Sequence, residues 1–185
     1  MTQTDGAPAI SGGLDWSNES GIYLGTWASN VDFDVEDSTT GITETFGKYE
    51  LDFYGGYAGE VSEFGYDVGL IFYKYDSDDE LDFSELYVVG SWNFLEAGIY
   101  KGLSADADDG EDYIYYYVGA GIDLPQDLGL GITIGNTDPD DGDNLTHYQI
   151  DLSKGDFTLS LSDTNADEGE GNEDPVVFVS WGQEF

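Results

Sequence analysis

The chain has 185 residues, room for one domain, and sets 40 Asp and Glu against 4 Lys and no Arg, a formal net charge of −36. So acidic a surface repels phosphate backbones, which excludes nucleic acid as a partner. The lack of Cys removes disulfides, thiolate catalysis and Cys-based zinc sites, while 14 Tyr, 10 Phe and 4 Trp exclude a disordered acidic tail.

Period-two alternation, the pattern of a strand with one apolar face, recurs along the whole chain. It predicts strands at 8–16, 21–33, 47–59, 64–75, 82–92, 95–103, 112–124, 128–137, 145–153, 157–163 and 175–185. From Lys48 onward, Tyr49, Leu51, Phe53 and Tyr57 alternate with Glu50, Asp52 and Tyr54. Leu128, Leu130, Ile132 and Ile134 alternate with Gly129, Gly131, Thr133 and Gly135. Tyr148, Ile150 and Leu152 oppose His147, Gln149, Asp151 and Ser153; Phe157, Leu159 and Leu161 oppose Thr158, Ser160 and Ser162. No segment carries a helical period, and no apolar run reaches the roughly 18 residues of a membrane-spanning helix. The fold class is therefore all-β, a single domain over 1–185 in an antiparallel up-and-down arrangement.

The connections alternate in kind. Ser17–Ser20, Glu60–Glu63, Asn93–Phe94, Pro125–Asp127 and Lys154–Asp156 are tight, whereas 34–45, 76–81, 104–111, 138–144 and 164–174 are long and acidic. An up-and-down sheet gathers the short turns at one end and the long ones at the other, as transmembrane β-barrels do. A soluble barrel alternates too, with its faces exchanged. The polar face decides for the membrane: Glu50, Asp52, Asp67, Glu85, Glu96, Asp123, Asp151 and Glu184 share it with Gly, Ser, Thr and Tyr rather than with Lys ladders. Tyr49, Tyr57, Phe64, Trp92 and Trp181 stand toward strand ends on the apolar face, like interfacial girdles.

On this reading the lumen carries Lys48, Glu50, Asp52, Asp67, Glu85, Glu96, Tyr113, Tyr115, Tyr117, Asp123, His147 and Asp151, with Lys48 an internal ion-pair partner. Tyr113, Tyr115 and Tyr117 either fill a narrow barrel, the favoured reading, or line a path for sugars or small solutes. Catalysis is not expected, since His147 is the only His and no motif activates a nearby Ser. Asp106, Asp108 and Asp109, and Asp138, Asp140, Asp141 and Asp143, offer hard oxygen ligands for weak Ca²⁺ or Mg²⁺ association, without the spacing of an EF-hand. Screening so much like charge fits a saline, halophilic setting.

The segment Thr2–Trp16, then Glu19–Phe33 with its Gly25-Thr26-Trp27-Ala28-Ser29-Asn30 stretch, resembles the TorF-type porins of proteobacteria. Glu50–Tyr57, Tyr66–Leu70 and Glu85-Leu86-Tyr87 continue the similarity, which covers nearly the whole chain. The resemblance implies an outer-membrane barrel of unproved transport function. Members of that family carry a signal peptide and one further strand ahead of the segment matching Thr2–Gly6. Because single-chain bacterial barrels have even strand numbers, the expectation is roughly twelve strands with the first missing, and Met1 a truncated start. The last strand, stopping at Phe185, has the terminal pattern read by the barrel-assembly machinery. The expected function is passive diffusion of small solutes or cations through an acidic lumen in outer-membrane lipid. The alternative is a soluble or secreted acidic barrel that binds divalent cations or a small ligand.

Overall fold

The computed structural model describes residues 7–36, 43–76, 82–103, 113–140, 142–165 and 175–185. They form one sheet of eleven strands in sequence order, each antiparallel to the next: β1 (Ser11–Ser17), β2 (Ile22–Glu36), β3 (Thr43–Val61), β4 (Phe64–Tyr75), β5 (Phe83–Trp92), β6 (Leu95–Leu103), β7 (Tyr113–Leu124), β8 (Leu128–Pro139), β9 (Leu145–Lys154), β10 (Phe157–Thr164) and β11 (Val176–Trp181). No helix occurs among the described residues. Within that set β1 pairs only with β2, and β11 only with β10.

The short turns lie where the sequence places them, and backbone chemistry explains their residues. Val61 pairs with Phe64 and Trp92 with Leu95, leaving two-residue loops in which Ser62 and Asn93 take φ of 60° and 54°. A right-handed strand twist favours such left-handed corners. At the β1–β2 turn the Asn18 side chain accepts from the Ser20 N–H at 2.9 Å, and Gly21 takes a φ of 94°. An added Cβ at Gly21 would strike the Ala58 carbonyl oxygen, so only glycine fits.

The strand ends depart from expectation by one or two residues at several points, β3 reaching Val61 and β8 Pro139, and by more in three places. Residues 8–10 stay outside the strand: Pro8 has no N–H to offer, and Asn30 ties the segment to β2, its side chain accepting from the Ile10 N–H at 2.6 Å and donating to the Pro8 carbonyl at 3.3 Å, its backbone N–H donating to the Ile10 carbonyl at 3.3 Å. β2 and β3 run further toward their long connection, past a register shift after Asn30, to pair Glu36 with Thr43. β11 stops at Trp181, opposite Phe157, the first residue of β10. Beyond that point Gly182 donates to the Asp156 carbonyl at 3.0 Å in the turn, and the ladder has no further partner. Glu184 and Phe185 therefore lie outside the terminal strand, not on it.

Candidate functional site

Register sorts the side chains into two faces. One row runs Gly13, Trp27, Asp52, Tyr73 and Phe83 across β1 to β5; the next runs Asp15, Gly25, Tyr54, Ile71 and Glu85. The same face continues through Glu96 and Tyr100, Tyr115 and Tyr117, Gly135, His147 and Asp151, to Ser160. It is polar and covered: Glu50, Asp52 and Glu85 are 6%, 7% and 7% exposed. The opposite face is apolar and bare. Leu14, Leu24, Phe53, Val68, Val88, Ile132 and Leu159 are all exposed, and among the described residues only Val31 and Tyr87 are buried hydrophobics. A water-soluble fold puts these classes the other way round.

Tyrosines laid over glycines cover the polar face. An added Cβ at Gly25 would meet the Tyr54 ring, at Gly98 the Tyr117 ring, and at Gly56 and Gly69 the hydroxyls of Tyr23 and Tyr87. The missing side chain lets each ring lean across a neighbouring strand, and the phenols of Tyr23, Tyr54 and Tyr113 reach carboxylates two strands away, those of Tyr73, Tyr75 and Tyr117 carboxylates on the adjacent strand. Tyr54 reaches Asp15 across Gly25 in this way. Tyr23 of β2 donates to Asp67 of β4 at 2.6 Å and meets the Tyr87 hydroxyl. Glu85 accepts from Tyr73 at 2.8 Å on one oxygen and from Tyr113 at 2.5 Å on the other. Tyr75 donates to Glu50, and Tyr117 to Glu96, both at 2.5 Å. Farther round, Asp151 accepts from Ser160 at 2.6 Å and Gln149 at 3.0 Å. Neutral hydroxyls thus solvate the acids where the chain has few cations to supply, and hydrogen bonds to a charged acceptor are the stronger kind.

From β5 to β9 the rings join into a shelf. Tyr87 stacks on Tyr100 at 5.2 Å between centroids, Tyr100 meets Tyr115 at 5.8 Å, and Tyr115 stacks on His147 at 5.8 Å. Such spacings lie in the favourable range for aromatic pairs. A family model described as "Bacterial protein of unknown function (Gcw_chp)" matches residues 1–175. The chain belongs to the Gcw_chp family. No curated protein and no solved structure matches it.

In this Gcw_chp chain, register brings Glu50, Asp52, Asp67, Glu85, Glu96, Tyr113, Tyr115, Tyr117, Asp123, His147 and Asp151 onto one face. Lys48 alternates with Glu50, but its ion pair with Asp32, at 2.7 Å, is an exposed one at the long-connection end and not an internal one. Asp15, Tyr23, Trp27, Tyr54, Tyr73, Tyr75, Tyr87 and Tyr100 join the face without having been singled out. Their signal was available: each sits at the polar parity of its strand. Among the described residues no three acids or His converge as a metal site. Asp138, Asp140 and Asp143 belong to that set, whereas Asp106, Asp108, Asp109 and Asp141 lie outside the described residues.

Proposed function

We propose that this Gcw_chp chain is a porin-like β-barrel of the bacterial outer membrane, passing small solutes or cations by diffusion along its acidic face. One observation carries the reading: the sheet buries Glu50, Asp52 and Glu85 on one face and exposes a whole row of aliphatic and aromatic side chains on the other. In water that arrangement is unfavourable at about 25 cal/mol for each Å² of apolar surface left wet; against lipid it is the stable one.

The dimensions agree. The eight steps from Phe64 to Phe72 on the apolar face of β4 cover about 27 Å of strand, or about 20 Å of bilayer at a tilt of roughly 40°. Trp16, Phe64, Trp92, Phe157 and Trp181, all exposed, gather at the short-turn end, where an aromatic girdle would meet headgroups. The resemblance of the Gly25–Asn30 stretch to TorF-type porins points the same way. On the inner side, a face rich in carboxylates would raise local cation concentration and turn anions away.

Purification tests the reading. The protein is expected to aggregate without detergent, to be monodisperse in detergent micelles, and to give conductance steps in planar bilayers. A monodisperse protein in detergent-free buffer would overturn it and assign instead a soluble acidic sheet.

A further inference from the structure

Asp52 stands apart from the other acids of the polar face. Its Oδ1 is buried without a hydrogen-bond partner, the only such carboxylate oxygen among the described residues, and the residue is 7% exposed. Glu50 and Glu85 are as deeply covered, but tyrosine donors serve both. No group that faces Asp52 gives Oδ1 a donor. On β3, Glu50 adds negative charge and the Tyr54 hydroxyl is committed to Asp15 of β1. On β4, Tyr73 stands directly opposite and Tyr75 follows on the same face; their hydroxyls go to Glu85 and Glu50. On β2 the registered residue is Trp27, which carries no charge. Behind these lie Glu85 and Tyr87 of β5, with Tyr113 of β7 donating to Glu85 and Tyr23 of β2 meeting Tyr87. Lys48, two residues beyond Glu50, directs its ammonium to Asp32 at the long-connection end.

A charged carboxylate in such a setting is among the costliest groups a fold can hold, whereas a neutral carboxyl costs far less. Buried acids keep their protons up to about pH 8–9 for this reason. The 7% of Asp52 that stays exposed is enough for a proton to leave and too little for a ligand to dock. We propose that Asp52 is a proton switch in the tyrosine cover: it holds a proton at neutral pH and, on giving it to hydroxide to form water, draws the Tyr73 hydroxyl from Glu85. The register selects Tyr73, the direct cross-strand partner of Asp52. Glu85 can release it, because the Tyr113 hydroxyl still serves its other oxygen. The product is one more negative charge and one newly opened Glu85 oxygen on the polar face. Burial and register carry the switch itself; only its effect on ions rests on the channel reading.

The test is infrared difference spectroscopy of the whole protein in detergent micelles, titrated from about pH 6 to about pH 9, below the ordinary phenol range. The parent should show the C=O stretch of a protonated carboxyl at the lower pH and lose it at the upper. Asp52→Asn should lack that band, and Glu63→Gln in the β3–β4 turn should keep it. Tyr73→Phe has no hydroxyl to give and should hold the band to a pH higher by roughly half a unit or more. In planar bilayers the cation preference should grow roughly twofold over the same range in the parent and stay flat in Asp52→Asn. Amide dispersion checks that each variant folds; should Asp52→Asn fail to fold, Glu50→Gln, which removes the neighbouring charge, should move the loss of the band to lower pH. No band in the parent, a band that survives in Asp52→Asn, a loss that neither Tyr73→Phe nor Glu50→Gln moves, or a flat preference in a conducting parent would overturn the switch. A protein that conducts cations but shows no such band loses the switch alone. One that shows the Asp52 band but never conducts loses only the channel.

Discussion

The Tyr115 phenol on β7 and Nε2 of His147 on β9 meet 2.9 Å apart above Gly135 of the strand between them. The contact exists because Gly135 has no side chain: an added Cβ would enter the space of both groups. Both are side-chain tips and can yield, so Gly135→Ala should cost the hydrogen bond and not the fold, about 1 kcal/mol. Gly121→Ala is the control, since a Cβ there meets nothing. It should leave stability unchanged or raise it by about 0.5 kcal/mol through the unfolded chain. Denaturant unfolding of both variants in one detergent compares them; equal midpoints would remove the role given to the bare glycine.

Glu85 offers a second test. Both its oxygens take tyrosine donors, from β4 and β7, and it is almost fully buried. Tyr73→Phe and Tyr113→Phe should each lower stability by about 1.5–3 kcal/mol, the range for hydrogen bonds to a charged group. Tyr73→Phe keeps its stacking on Phe83, 4.4 Å between centroids, so its loss isolates the hydroxyl. A change below about 0.5 kcal/mol in both variants would mean that water replaces the phenols freely.

At the long-connection end Asp76 sets a pH dependence. The Lys48 backbone N–H, at 2.7 Å, holds its carboxyl below the usual carboxylate range, the Tyr49 N–H at 3.2 Å adding to this against a smaller opposing effect of desolvation. A depressed folded value means that the stabilisation is complete above the ordinary Asp range, near pH 4, and is lost as pH falls through the folded value. Hydrogen exchange at Lys48 and Tyr49, corrected for intrinsic rates, should therefore lose protection on acidification. Asp76→Asn keeps an accepting oxygen but should flatten that dependence. A variant that still loses protection in parallel with the parent would assign the effect elsewhere.

If the proposed channel conducts, its selectivity is expected to follow from the acids of the polar face. A cation preference is expected in a salt gradient across a planar bilayer, and it should be reduced when Glu50, Asp52 and Asp151 become Gln, Asn and Asn. It should shrink as salt rises, because the Debye length falls from about 10 Å at 0.1 M to about 3 Å at 1 M. Reversal potentials decide: anion preference, or a triple variant matching the parent, would sink the assignment of this face to a conducting path.

The edge strand supplies a last test. β1 is laddered on one side only among the described residues, while β8 is laddered on both. Amides of 8–16 should exchange faster than those of 128–135. Equal protection would place a further partner on the β1 edge.

The eleven strands were legible because period two is local: each residue's face follows from its own neighbours in the chain. Strand ends were less so. Nothing in Val177, Val179 and Trp181 announces that β10 begins at Phe157 and leaves the last residues without a partner. The tyrosine bridges were legible least. That Tyr23 reaches Asp67 and Tyr87 depends on the registers of three hairpins, on Gly56 lying beneath Tyr23 and on Gly69 lying beneath Tyr87. Parity alone places these residues on one face; it does not say which phenol meets which acid. Lys48 shows the same limit. Its parity matched Glu50, yet its charge sits at the long-connection end with Asp32.

Because the strand order follows the sequence order throughout, every ladder in the sheet is a hairpin between consecutive strands. Such pairings close short loops and form in about 1–10 μs each, so the sheet can grow by adding one strand at a time to a finished edge. Joining the two ends, as the proposed barrel requires, would be a different kind of event. Ser11 and Trp181 bracket nearly the entire chain, and bringing them together carries the entropy of the longest loop available. As consecutive strands reverse direction, β1 and β11 also point the same way, so their direct union would be a parallel pair, while an antiparallel seam takes an odd number of strands between them. In the barrel proposed above, whatever joins these two edges would act last, and its rate would set the pace of assembly.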